Sequence, residues 1–335
     1  MKNGLSRFEF YLQKIELLMQ QATKEQNPAL FLYKNDARTL LFMLEALSRL
    51  YGNLHNKKKF FDIEEHFKLL EDGIGVIDYY DYYTKIFLAH PTVPVHIREY
   101  MEGQTREKIQ HLNDLLSING WLGEDAVRIN KLRKKLDKAD WLHPKEEVKG
   151  ISEFYEDEIK QIKKFVKSNR GQFTEMESQV HELRRNIRWL SIYPQALQGM
   201  IQMNDCGITE KLSEKYLKPE IVNSKYNIMP DTGINTWFIL FEKNYFLALS
   251  WLIAETGRLK DEGLQNYAVM EALQQTENLD RKDAYKKSFE ILGIPTNTID
   301  KILSDALEIT NRFIMEGNFD NLIAGLAHTK KAKEV

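Results

Sequence analysis

The sequence lacks most of the features by which an enzyme class is read from motifs. One cysteine, Cys206, stands in 335 residues, so neither an intrachain disulfide framework nor a cysteine-based zinc site can be built. A lone cysteine is ordinarily a small buried hydrophobe. Glycine (17) and proline (8) are scarce, leaving few turns to punctuate a β-rich fold. No run approaches the ~20 uncharged apolar residues of a membrane helix. The opening MKNGLSRFEFYLQKIELLMQQ is interrupted by Glu9, Lys14 and Glu16; it reads as an amphipathic helix and not as a signal peptide. No membrane partner is expected, and cytoplasmic residence is the default. Charge of one sign is lacking too. The formal net charge is −2, so an anion site has to come from local clustering of Lys and Arg.

Motifs are equally sparse. There is no Gly-x-x-x-x-Gly-Lys-[Ser/Thr] loop, no Gly-x-Gly-x-x-Gly after a strand and no Gly-x-Ser-x-Gly elbow. None of the histidines follows a Glu by three residues, which excludes the Glu-x-x-His signature of di-iron bundles. The pairs His96–Glu99 and His143–Glu146 sit near prolines, where helix-start acids explain them better than metal does. The chain is expected to be non-enzymatic, with no metal and no cofactor.

What is present is helical periodicity. Apolar residues recur at three and four, as in Phe8, Leu12, Ile15, Leu18 and Met19. The pattern predicts helices near 4–23, 36–54, 60–89, 94–117, 124–138, 145–168, 172–198, 235–257, 261–275, 280–291 and 296–314, with a short one near 318–327. Trp237, Phe238, Phe241, Tyr245, Phe246 and Trp251 form the wide apolar face of one of them. The stretch 199–234, with Gly199, Gly207, Pro219, Pro230 and Gly233, reads as an irregular connection. In the run Asp78–Tyr83, two acids would repel nucleic acid, so core packing is the better reading of its tyrosines.

One repeat stands out. Sliding NDARTLLFMLEALSRLYG (35–52) onto HELRRNIRWLSIYPQALQG (181–199) pairs Asn35 with His181, Arg38 with Arg184, Leu41 with Ile187 and Leu44 with Leu190. In both copies an arginine follows the polar starter by three and an apolar stripe begins. This suggests two similar helical halves, 1–145 and 146–335.

The segment 160–188 carries the chemistry. Lys160, Lys163, Lys164 and Lys167 fall at 0, 3, 4 and 7 on one helix face, and Arg170 follows in the turn. His181, Arg184, Arg185 and Arg188 repeat that spacing on the next helix. Helices joined by a short turn generally pack antiparallel, so the two stripes can border one groove. Arginine forks grip phosphate oxygens in pairs and lysines add mobile charge. On composition alone, a solvated face balanced by Glu175, Glu177 and Glu182 explains the stripe as well. A second basic run, Arg128 to Lys138, stands open between a groove border and plain surface.

VHELRRNIRWLSIYPQAL resembles the signature helix of the CHAD family, the conserved-histidine α-helical domains. His181 matches its histidine, and Arg184 and Arg188 match its basic positions one and two turns on. NDARTLLFMLEAL is similar to the first copy of that motif, with Asn35 in the place of histidine and Arg38 retained. Departures are Phe42 in place of a basic residue and an added Glu45 in the first copy, Trp189 and Ser191 at basic positions in the second, and Ile77 where an arginine is expected. The resemblance implies an all-α fold of two similar antiparallel four-helix bundles related by a pseudo-twofold, together forming one domain. It further implies a basic groove binding inorganic polyphosphate or a similar polyanion without catalysis, nucleic acid not being the expected partner. The expected contacts are Lys160, Lys163, Lys164, Lys167, Arg170, Arg184, Arg185, Arg188 and Arg38. His181 orients the site and gains charge below ~6.5. The other reading is a degenerate scaffold for protein–protein interaction.

Overall fold

The computed structural model describes residues 3–169, 171–207 and 210–329. Most of the helices form where the apolar spacing predicts them, the short one at 28–34 being an addition, and local chemistry sets their ends. After α1 (Asn3–Ala22), Asn27 caps α2 (Pro28–Lys34) by accepting from the Leu30 N–H. The first half continues with α3 (Ala37–Leu54), α4 (Lys57–Ala89), α5 (Val95–Ile118) and α6 (Val127–Asp137). The side chain of Asn56 caps α4 through the Lys59 N–H. Next come α7 (Pro144–Ser168), a π-helical turn Met176–His181, and α8 (Glu182–Ala196), which continues directly from that turn. Two short helices, α9 (Glu210–Lys215) and α10 (Pro219–Val222), lie in the 199–234 connection. The 34-residue α11 (Lys243–Thr276) is followed by α12 (Arg281–Leu292) and α13 (Thr298–Met315). Gly293, at φ 63°, ends α12 in the left-handed conformation that glycine tolerates.

The all-α class is right in the main, with one addition. Three strands, β1 (Ile201–Asn204), β2 (Trp237–Glu242) and β3 (Ile323–His328), make a small sheet in that order. β1 pairs parallel to β2 and β3 antiparallel to it. Trp237, Phe238 and Phe241 therefore belong to a strand, and α11 starts only at Lys243. A six-residue apolar run satisfies either period, and here the backbone of β2 finds a partner on both edges. The expected terminal helix is also a strand; exposure alternates strictly along β3. From Lys243 on, the helices predicted at 235–257 and 261–275 are one continuous α11.

Packing does not divide at residue 145. One apolar cluster runs from Phe8, Leu44 and Tyr51 through Ile187 and Tyr193 to Phe313 and Leu322. A second joins Tyr80, Tyr83, Phe87 and Met101 to Leu264, Val269, Leu273 and Leu292. Tyr80 and Tyr83 serve packing, Tyr80 donating to Glu271 and Tyr83 to the Asp261 carbonyl, while Tyr82 is exposed. No described helix is long and apolar enough to cross a membrane. Within this frame α3 packs on α4 and α8, and α8 packs in turn on α11. The basic residues of α3 and α8 meet across that contact.

Candidate anion site

Arg38 leaves the first turn of α3 toward α4. Its guanidinium lies over Gly75, where an added Cβ would come within 2.6 Å of the terminal nitrogen. Glu71 accepts from Nε at 2.7 Å and Asp78 from a terminal nitrogen at 2.8 Å. Arg184 leaves the first turn of α8 toward α11 and lies over Gly257, with an added Cβ 2.9 Å from its Nε. The same device, an arginine laid over an interior helix glycine, thus occurs at the two positions that the sequence repeat pairs. Glycine costs ~1 kcal/mol relative to alanine inside a helix, and each of these two makes room for a guanidinium.

The two differ in charge balance. Arg184 makes no hydrogen bond or ion pair among the described residues, and its Nε is buried without a partner. Burial lowers its pKa and Arg38 lowers it further, with Asp261 opposing. Arg188, one turn on, is likewise half-buried and unpaired among the described residues. Burial, then Arg184 and Arg38, push its pKa down to about 10, against the pull of Glu71 and Tyr226. Phe42 stands between the halves. Its ring centroid is 5.4 Å from the Arg38 guanidinium carbon and 4.3 Å from that of Arg188, and its edge meets Trp189. Phe42 and Trp189, which depart from the basic pattern of the resembled helix, therefore form the apolar wall of the arginine cluster. Cations held half out of water without a bonded carboxylate are costly, and such perturbed groups concentrate at functional sites.

The other predicted residues are placed differently. His181 closes the π-helical turn, and its Nδ1 lies 2.7 Å from Glu177, not against an arginine. That contact holds the Glu177 carboxyl below its ordinary range. Arg185 is exposed and pairs with Glu182 at 2.7 Å. Lys160 pairs with Asp157 at 3.0 Å and Lys163 with Asp320. Both lysines line a depression of about 560 Å³ against Phe319, Ile323 and Leu326. Lys164 lines a separate depression of about 300 Å³ with Arg49, Glu158 and Asn186. Lys167 is exposed, and Arg170 lies outside the described residues. Neither of these two depressions includes Arg38, Arg184 or Arg188. In the second basic run, Arg133 is tied to Glu9 and Glu16, and Arg128 donates to the Asn119 carbonyl.

Sequence reasoning missed Gly75, Gly257, Phe42 and Glu71. The two glycines carried a signal, since each sits inside a long helix where alanine would be favoured. No family model, no curated protein and no solved structure matches the chain.

Proposed function

We propose that the chain is a non-enzymatic helical module that binds polyphosphate or another phosphate-rich polyanion. Arg38, Arg184 and Arg188 are its core contacts, in two halves arranged about a pseudo-twofold that makes Arg38 and Arg184 equivalent. One observation carries this reading: two half-buried guanidiniums stand beside a third with no carboxylate bonded to either. A bound oxyanion supplies the missing acceptors, and arginine's planar fork suits phosphate oxygens. The likeness of 181–188 to the CHAD signature helix points the same way.

The test is retardation by polyphosphate at low salt. Binding through several cations weakens steeply as salt rises, and Arg184→Glu with Arg188→Glu abolishes retardation. Unchanged retention in that variant contradicts the proposal. The alternative reading, a protein-interaction scaffold, draws on one feature: the loop after α10 exposes Tyr226, Ile228 and Ile234 at 66, 70 and 60%. It gains ground if neither protein is retarded.

A further inference from the structure

We infer that the arginine cluster takes a compact oxyanion, one or two phosphoryl groups presented end-on, and does not track an extended chain; the inference rests on the anion-binding reading above. Four observations bear on the size of the ligand.

The cations converge on one point. Arg38 and Arg188 bracket the same phenyl ring, at 5.4 and 4.3 Å from its centroid. Arg184 and Arg38 are close enough to depress Arg188. Two forks at one ring, with Arg184 one turn before Arg188 on the same helix, offer several donors over a short span, the geometry for the oxygens of one phosphoryl group.

The inner side is sealed by hydrocarbon. Phe42 packs edge-on against Trp189, which is 3% exposed, and Trp189 stacks on Tyr193. A chain cannot pass between α3 and α8 behind the cluster.

Carboxylates close both flanks. Toward α4, Glu71 and Asp78 hold Arg38, and Asp81 lies one turn beyond. Toward α11, Asp261 stands one turn beyond Gly257 and pairs with Lys260 at 2.6 Å, with Glu262 next to it held by Arg258. An anionic chain continuing in either direction meets cations already committed to carboxylates, Lys85 to Asp81 on one side and Lys260 to Asp261 and Arg258 to Glu262 on the other. To engage them it has to displace those carboxylates, which costs affinity and selects against long ligands.

The lysines that would carry an extended chain look elsewhere. Lys160 and Lys163 pair with Asp157 and Asp320 at the β3 side of α7, and Lys164 lies beside Arg49 and Glu158. The ligand class is therefore orthophosphate, pyrophosphate or the terminal phosphoryl groups of a longer molecule.

Calorimetric titration of the full chain with orthophosphate, pyrophosphate, tripolyphosphate and long-chain polyphosphate tests this at low salt. The same series is run on a variant carrying Lys160→Ala, Lys163→Ala, Lys164→Ala and Lys167→Ala, all at accessible positions. Pyrophosphate and tripolyphosphate bind; lengthening the chain from three units to tens raises affinity per chain terminus by less than about threefold. The lysine variant matches the parent, and the log–log salt slope is shallow, about −2, as three contacts dictate. A gain of about tenfold or more with chain length, lost in the lysine variant, overturns the compact site while leaving anion binding standing. Absence of heat with every ligand at low salt sinks the anion reading itself.

Discussion

Two groups of buried arginine in this chain are treated in opposite ways. Arg7, on α1, is 2% exposed and uses its whole fork. Nε donates to the Leu197 carbonyl, one terminal nitrogen to Tyr51 and Glu147 at 2.6 and 2.8 Å, and the other to Asn235 at 2.7 Å. Burial alone would lower its pKa, but Tyr51 and Glu147 more than offset that, and the net shift is upward. Arg184 and Arg188 are less buried, yet their shifts run downward because burial meets no bonded carboxylate. A cation whose donors are all used joins α1, α3, α7 and the segment before β2 into one core. Arg184 and Arg188 tie no such set of elements together: beyond the packing of Arg188 on Phe42, their donors are free among the described residues, which is the basis of the proposed anion site.

That contrast predicts substitutions of opposite sign. Arg7→Leu leaves Glu147 buried without its partner and lowers stability by roughly 3–5 kcal/mol, read by chemical denaturation. Arg184→Leu with Arg188→Leu removes uncompensated charge, so stability changes by less than about 1 kcal/mol or rises, while anion binding is lost. A loss as large as that of Arg7→Leu would erase the distinction.

The two glycines sharpen the contrast at smaller scale. Gly75→Ala places a Cβ against a guanidinium pinned by Glu71 and Asp78, costing about 1–3 kcal/mol. Gly257→Ala meets an unpinned Arg184 that swings aside. The gain in helix propensity, ~1 kcal/mol, then offsets the strain, so stability holds while phosphate affinity falls. Equal destabilisation by both would show that Arg184 is as fixed as Arg38.

Glu45 supplies a pH dependence of similar size. It is 5% exposed, with Oε2 unpartnered, and faces Glu71, Glu64 and Lys68 of α4 and Arg49 of its own helix. Burial, then Glu71 and Glu64, raise its pKa to about 7 from 4.5, against Lys68 and Arg49. The folded state holds this proton more tightly than the unfolded chain. Its stabilisation is therefore full below the unfolded value and is lost as pH rises through about 7. The loss is on the order of 3 kcal/mol, and Glu45→Gln flattens it in a pH series of denaturation curves. The smallest effect belongs to His181. Its bond goes to Glu177, so His181→Gln changes phosphate affinity by less than about threefold, as befits an exposed pair.

How much of this was legible in the sequence follows from what a helical period encodes. The 3.6-residue pattern with its breakers located α1, α3, α5, α7 and α13 closely, because each buries one apolar stripe. It could not separate β2 from the start of α11, where an unbroken apolar run suits either period. The repeat singled out Arg38 and Arg184, since two residues of the same type at matching positions need no tertiary information, and the basic stripe of the second copy added Arg188, whose counterpart in the first copy is Phe42. The lysines of α7 misled for a geometric reason. Spacing of 0, 3, 4 and 7 defines a face about a quarter of a turn wide or more, and the neighbours on its two flanks differ. Lys163 meets Asp320 on one, Lys164 meets Arg49 and Glu158 on the other. Gly75 and Gly257 stood out only as glycines inside long helices, and Glu71 not at all, because their role depends on an arginine from another helix.

The most direct measurement is thermal unfolding of the parent and of Arg184→Leu with Arg188→Leu, each with and without tripolyphosphate at low salt. A ligand that binds the folded state raises the transition temperature by mass action. The account predicts a rise for the parent, and a variant that unfolds no earlier than the parent and does not respond. A variant that unfolds well below the parent yet still responds to tripolyphosphate would contradict it.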